Sequence, residues 1–345
     1  MKIAITGGAG FIGTELMSML IEQGHECLWV DIQRSDTYPK EGIVCDITDK
    51  NALTEALKGV EAVYHLAAEH RDDVTPVKKY YDVNATGTDN LIAAAKINGI
   101  KTIIFTSTVA VYGLDAGESK EDSPPEPFND YGRSKLEAEK ILEDWCEQAS
   151  DRRLVTIRLV ATFGPGNRGN IFTLMDQIAR KRFFMIGNGD NRKSVAYVGN
   201  VAAFLTGCLN EGNGATLYNY ADKPDLSMRE MVAEIRAGMG FPGLGPKLPY
   251  VAGVAGGAAF DVLAKITGRK FPISLIRVKK FCASTVVNAE RVNRSGFKRP
   301  FTLQQGLQEM IASDFAERLN LPPSPQDGKR GPNRHQDAGS SRKVA

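Results

Sequence analysis

This 345-residue chain is poor in the residues that build metal centres. It has four histidines, His25, His65, His70 and His335, and no two stand at ligand spacing on one helix. Its five cysteines, Cys27, Cys45, Cys146, Cys208 and Cys282, are scattered, odd in number and without a C-x-x-C pair, so neither a zinc site nor a disulfide framework is expected. Net charge is only +2, and no basic stretch is interleaved with aromatics, so nucleic acid is not an expected partner. An export signal is also missing: the N-terminus enters a strand pattern at once, without a basic region, an apolar region and a cleavage site, and the cytoplasm is the compartment inferred. The longest apolar run, Leu248 to Phe260, has thirteen residues, is rich in glycine and is too short to span a bilayer. A buried or interfacial helix is expected there.

With 42% hydrophobic and 24% charged residues the composition is that of an ordinary globular protein, and the length allows one large or two coupled domains. The first half alternates β-branched runs with helical patterns, which calls for crossover units on a parallel sheet. Strands are predicted at Lys2 to Thr6, Glu26 to Asp31, Gly42 to Asp46, Ala62 to Ala67, Thr102 to Ser107 and Leu154 to Leu159. Helices are predicted at Ile12 to Gln23, Asn51 to Lys58, Asn84 to Asn98 and Tyr131 to Gln148, with Gly24 and Gly99 as stops. The fold class expected is α/β, a doubly wound parallel sheet of the Rossmann kind with a smaller mixed α/β substrate-binding lobe. Residues 1–165 are read as the dinucleotide-binding domain, with strands returning from about 195–220, residues 166–321 as the lobe, and 322–345, rich in Pro, Gly, Ser and Gln, as a disordered tail.

Two constellations carry chemistry. Thr6-Gly7-Gly8-Ala9-Gly10-Phe11-Ile12-Gly13 follows a strand and opens a helix, the context of a dinucleotide fingerprint. Gly7 and Gly10 let backbone amides approach a pyrophosphate, Gly13 lets the helix pack closely, and the helix N-terminus supplies partial positive charge. Asp31 closes the second strand, where a carboxylate can hold the adenosine ribose hydroxyls and repel a 2′-phosphate, so NAD is favoured over NADP. Arg34 lies close enough to offset part of that repulsion. The second constellation is Tyr131-Gly132-Arg133-Ser134-Lys135, which puts a phenol and an ammonium on one face of a helix. A fixed cation favours the phenolate, so the pair reads as a proton-transfer device.

Together these residues resemble the extended short-chain dehydrogenase/reductase family, and within it the NAD-dependent nucleotide-sugar epimerases and dehydratases of the UDP-glucose 4-epimerase kind. The resemblance implies further cofactor contacts from Phe11, Ile12, Asp46, Ile47, Leu66, Ala67, Ala68 and Asn84. Val111-Tyr112-Gly113 resembles the end of the segment that carries the catalytic hydroxyl, which falls on Thr108, with Ser107 beside the nicotinamide. The implied catalytic residues are thus Thr108, Tyr131 and Lys135, the last two also touching the cofactor. Val109 and Ala110 stand where dehydrating and decarboxylating relatives carry acids, which argues against those reactions.

In the lobe, the segment from Gly187 to Val198 resembles the one that meets the sugar-nucleotide diphosphate, with Arg192 or Lys193 in that role and Arg277 as a weaker candidate. Relatives that read Arg-x-x-Asn contact the sugar through the amide, whereas this chain has Arg158-Leu159-Val160-Ala161. Cys282 and Ala283 are small where room beside the sugar is set, so an N-acetylhexosamine could fit. The resemblance implies a 4-epimerase of a UDP-hexose or UDP-N-acetylhexosamine working through a transient keto sugar, and a homodimer formed through the helices at Asn84 and Tyr131. A single-step dehydrogenase or ketone reductase for a hydrophobic, sterol-like substrate and a non-catalytic dinucleotide-binding protein are the competing readings.

Overall fold

The computed structural model of the chain describes residues 1–71, 74–113, 117–268 and 274–321, without the side chains at 262, 264, 277 and 280. The expected tail at 322–345 lies outside the described residues. From the N-terminus the elements are β1 (Lys2–Thr6), α1 (Phe11–Glu22), β2 (Glu26–Asp31), β3 (Gly42–Val44), α2 (Lys50–Ala56) and β4 (Ala62–His65). A short α3 (Lys78–Tyr81) and a π-helical turn at Asp82–Thr86 lead into α4 (Gly87–Asn98), followed by β5 (Thr102–Thr108), a 3-10 turn at Val109–Tyr112, α5 (Asp130–Glu147) and β6 (Arg153–Leu159). Next come β7 (Ala161–Phe163), α6 (Asn170–Ala179), β8 (Met185–Ile186), β9 (Arg192–Lys193), β10 (Val195–Tyr197), α7 (Val198–Gly207) and β11 (Gly214–Tyr220). The chain then forms β12 (Leu226–Ser227), α8 (Met228–Gly238), β13 (Lys247–Leu248), α9 (Tyr250–Thr267), α10 (Leu275–Cys282), α11 (Glu290–Arg294), α12 (Leu303–Asp314) and α13 (Ala316–Leu319).

Seven strands make one sheet in the order β11-β6-β5-β4-β1-β2-β3, with every neighbouring pair parallel. This is the expected doubly wound arrangement, with β11 added to the six predicted strands. Alternation along each strand feeds a separate core on each face. Ile3, Ile5, Tyr64, Ile104, Val155 and Ile157 pack with α1 and α7, while Ala4, Val63, Ile103, Phe105 and Leu154 pack with α2, α4 and α5. The strand order reverses between β1 and β4, and a sheet of this kind binds ligands beyond the carboxyl ends of its strands at that point. A third core, of α6, α8 and α12 with β7 and β10, forms the smaller lobe, where Ser227 with Glu230 and Thr302 with Gln305 close capping boxes on α8 and α12.

Most of the thirteen-residue apolar run from Leu248 lies in a longer helix. This is α9, an 18-residue helix of mean hydropathy 1.2, long and apolar enough by length and composition to cross a membrane, and it packs closely on Ile186 and Leu275 through Gly253 and Gly257. The sequence reading stopped at Asp261, whose Oδ2 instead accepts the backbone N–H of Leu275 at 3.0 Å, so the helix carries on past it.

Candidate active site

The glycine loop fits a dinucleotide. Gly7 has φ +70°, and a Cβ there would stand 2.7 Å from the backbone nitrogen of Ala67, so only glycine lets β1 and the exit of β4 approach this closely. A Cβ on Gly13 would stand 2.5 Å from the Gly7 carbonyl, which fixes α1 hard against the loop. Helix α1 begins after Gly10 with no side-chain cap, so its first amides face the loop unshielded. Asp31 ends β2 beside this helix start, its Oδ2 accepting Ala9 N–H at 3.2 Å and its Oδ1 Gln33 N–H at 3.1 Å. The Arg34 guanidinium is held by the Pro39 carbonyl at 2.9 and 3.1 Å, which directs it to its own loop. Phe11 and Ile12 start α1, Asp46 is exposed after β3, Ile47 is buried against Gly87, and Leu66, Ala67 and Ala68 line the exit of β4, partly exposed.

Helix α5 carries the other half of the site. Asn129 caps it through Gly132 N–H at 2.8 Å, and a Cβ on Gly132 would meet the Ala110 carbonyl at 2.7 Å. The first turn of α5, with Tyr131, is thereby packed against the 3-10 turn that follows Thr108. Thr108 Oγ1 accepts Ala110 N–H at 3.2 Å, which leaves its hydroxyl proton as the group it can offer. The half-buried ring of Tyr131 lies 6.5 Å from that of Tyr80.

One turn on, Lys135 is 1% exposed, with its Nζ 4.0 Å from the centre of the Phe105 ring. Burial lowers its pKa from 10.5 to about 7, with Glu139 pulling the other way. His65 stacks on the same phenyl ring at 5.3 Å and is bound on both nitrogens, to Thr6 Oγ1 at 2.7 Å and Thr88 Oγ1 at 3.0 Å. Complete burial, and secondarily Lys135, push its pKa down to about 3, so it is a neutral spacer at working pH.

Asn84 lies in the π-helical turn, and its side chain accepts Glu69 N–H at 2.8 Å while donating to the Glu69 carbonyl at 3.0 Å and Ser134 Oγ at 2.9 Å. It ties the loop after β4 to the turn of α5 that holds Tyr131. Glu69 itself is ion-paired with Arg71 and Lys79, and the hydrogen bond from Arg71 foremost draws its pKa down to about 2.

Glu139 was missed by sequence reasoning, and Ser107, expected beside the nicotinamide, gives its hydroxyl to it. This carboxylate, 1% exposed, accepts the Ser107 hydroxyl and a bidentate grip from Arg158, with Nη2 to Oε2 at 2.6 Å. Arg158 Nη1 donates in turn to Tyr112 Oη at 2.8 Å, and Tyr112 to Asn219 Oδ1 at 2.7 Å. The signal was present in the spacing, since Tyr131, Lys135 and Glu139 are successive i+4 positions.

On the lobe side, β9 turns Arg192 outward, where Nη1 meets the Asp225 carbonyl at 2.7 Å, and Lys193 inward. Burial lowers the Lys193 pKa, while the neighbouring Cys282 raises it. Arg277 lies on α10, but its side chain is outside the described residues. Among the described residues no group of three or more His, Cys, Asp or Glu side chains could hold a metal ion.

The model of the NAD dependent epimerase/dehydratase family matches residues 3–221, which include the glycine loop, Asp31, Thr108 and the Tyr131–Lys135 pair. The chain belongs to this family. It is an enzyme, and NAD is its cofactor. The protein is 46% identical over 91% of its length and 95% of the relative's to the N-acetyl-alpha-D-glucosaminyl-diphospho-ditrans,octacis-undecaprenol 4-epimerase of Escherichia coli O157:H7. It is 28% identical to the UDP-glucose 4-epimerase of Vibrio cholerae, over 89% of this chain and 94% of that one. It is also 28% identical to the 2-alkyl-3-oxoalkanoate reductase of Stenotrophomonas maltophilia, over 92% and 100%. Among solved structures, the UDP-glucose 4-epimerase of Thermotoga maritima has the same fold, with a TM-score of 0.73 over 92% of this chain and 100% of that one, at 20% identity.

Proposed function

We infer that the enzyme is a 4-epimerase of a diphosphate-linked hexose, with an N-acetylhexosamine as the preferred sugar. The observation that carries this reading is that α5, with Tyr131 and buried Lys135, is packed through Gly132 against the turn that follows Thr108, in a chain 46% identical to a sugar-diphosphate 4-epimerase. NAD, held by the glycine loop and Asp31, would supply a reversible hydride acceptor for the sugar carbon, so no cosubstrate would be consumed. Tyr131 draws the proton from the reacting hydroxyl, and Thr108 holds that oxygen by its own O–H. Lys135, with a pKa near neutrality, carries positive charge at low cost once an oxyanion stands near it, and its charge favours the phenolate. Lys193 receives the diphosphate, whose charge offsets the burial of the ammonium. Cys282 beside it leaves room for an acetamido group.

Within this reading residues 1–165 and the returning strands form the cofactor half and 166–321 the sugar half. Two chains pair through α4 and α5. The cytoplasm is the proposed compartment, in keeping with five unpaired thiols, four of them buried. The diphosphate carrier is a nucleotide, as in the name of the Vibrio cholerae relative, or a polyprenol, as in the name of the Escherichia coli relative.

Incubation with UDP-N-acetylglucosamine, UDP-glucose and polyprenyl-diphospho-N-acetylglucosamine, followed by proton NMR and NADH absorbance, tests the proposal. The expected result is a 4-epimer without net NADH. Stoichiometric NADH would replace it with the single-step dehydrogenase reading, which the similarity to an oxoalkanoate reductase keeps in view. Tyr131→Phe should lower turnover by about a hundred- to ten-thousandfold with NAD still bound. A loss below about threefold would remove Tyr131 from the mechanism.

A further inference from the structure

The polarity of α9 is inverted. Gly253 and Gly257 face inward, where added Cβ atoms would stand 2.6 Å from Ile186 Cγ2 and 2.9 Å from the Leu275 backbone nitrogen. Outward, the residues Val251, Ala255, Ala259, Leu263 and Ile266 follow one another at helical spacing, and all are exposed, Val251 at 77% and Ile266 at 76%. A helix on a globular surface normally turns its apolar stripe inward and its polar residues out. Leu248 and Tyr250 before the helix and Ile276 on α10 extend the exposed apolar surface.

We propose that this outward face of α9, with the adjoining end of α10, lies on an anionic membrane surface and brings a polyprenyl-diphosphate sugar to the site. Three exposed lysines, Lys247, Lys265 and Lys279, accompany the apolar stripe, whereas the carboxylate of Asp261 is engaged by the Leu275 N–H. Apolar side chains beside unpaired basic ones are the composition of an interfacial helix on acidic headgroups. Crossing the bilayer is a poorer fit. Crossing would strip the glycine face of α9 from Ile186, Val278 and Leu275.

The surface is also continuous with the proposed diphosphate site. Helix α10 packs on α9 and ends at Cys282, whose thiol points to the Ile186 carbonyl at 3.7 Å and which neighbours Lys193. A diphosphate on Lys193 thus lies beside the end of α10, the helix that packs on α9, and along it an isoprenoid tail can reach the lipid. The choice of a polyprenol over a nucleotide rests on the epimerase reading above; the membrane contact does not.

The test is flotation of the full-length protein with vesicles of phosphatidylethanolamine and phosphatidylglycerol, against vesicles of phosphatidylcholine. Wild type should float with the anionic vesicles, and Val251→Gln with Ile266→Gln should weaken binding by about tenfold or more. The same variant should keep its melting temperature, its bound NAD and its turnover of soluble UDP-N-acetylglucosamine, while losing turnover of the polyprenyl substrate in vesicles. Should that pair of substitutions lower the melting temperature, Lys265→Gln with Lys279→Gln serves instead, and selective loss of anionic-vesicle binding is again expected. Failure of wild type to float, or undiminished flotation of both variants, overturns the proposal. A solution mass that falls in the Val251→Gln, Ile266→Gln variant without any vesicle binding would assign the face to a second copy of the chain, and also overturns it. Flotation without epimerisation of any sugar diphosphate would overturn the epimerase reading and leave the membrane contact standing.

Discussion

Lys135 is costly to bury, and the cost depends on pH in a direction that can be worked out. Its folded pKa of about 7 lies below the unfolded value, so between the two the unfolded chain binds more protons and stability rises with pH. Several buried thiols and phenols have pKa values raised by burial and act in the opposite direction at alkaline pH, so the effect is best read as a difference between two proteins. In the NAD-free enzyme, Lys135→Met should be more stable than wild type at pH 7, and the gap should narrow by about 1 to 2 kcal/mol by about pH 8.5. Urea unfolding at the two pH values measures it, and parallel behaviour would return Lys135 to an ordinary ammonium. The variant should also be nearly inactive.

At the scale of elements, the buried ion pair between Glu139 on α5 and Arg158 on β6 holds α5 to the sheet. Removing one partner leaves a buried charge without compensation, so Glu139→Ala should cost about 3 to 5 kcal/mol in urea unfolding. A loss under about 1 kcal/mol would mean that water reaches Arg158. Glu139 was legible only as the third member of an i+4 series, and Arg158 was noted for its motif, but nothing in the sequence joined the two across elements. Strands β1, β4, β5 and β6 were legible because each is buried on both faces and reads as an apolar run, whereas the edge strand β3, with Ile43 and Val44 exposed, shows as a β-branched run alone. The π-helical turn at Asp82–Thr86 was not, since it goes with the tertiary hydrogen bonds of Asn84. Likewise β8, β9, β12 and β13 are two residues long and exist only by pairing with distant segments, which no periodicity announces.

At the scale of the molecule, α4 and α5 lie side by side, and their outer faces carry Asp89, Lys96, Ile97, Arg133, Glu137, Lys140 and Asp144 alongside part-buried Leu136 and Ile141. A pairing through such a mixed surface predicts a native mass of twice the 37.6 kDa chain, with ion pairs that weaken as salt rises. Mass photometry in low and high salt measures both, and a monomer at every salt concentration would exclude the dimer. The sheet and both its faces of helices were legible at this scale, whereas the outward apolar face of α9 was not, because a run of small and aliphatic residues reads the same whichever side it shows.

The uneven burial of the cysteines supplies a chemical clock for the cleft. Cys27, Cys45, Cys146 and Cys208 are buried, while Cys282 is partly exposed and stands beside Lys193. An alkylating reagent applied to the intact enzyme therefore meets Cys282 first, and its rate of reaction records how often the space next to the ammonium is empty. Each sugar diphosphate that shelters this thiol reveals its own residence there, whether or not it is turned over.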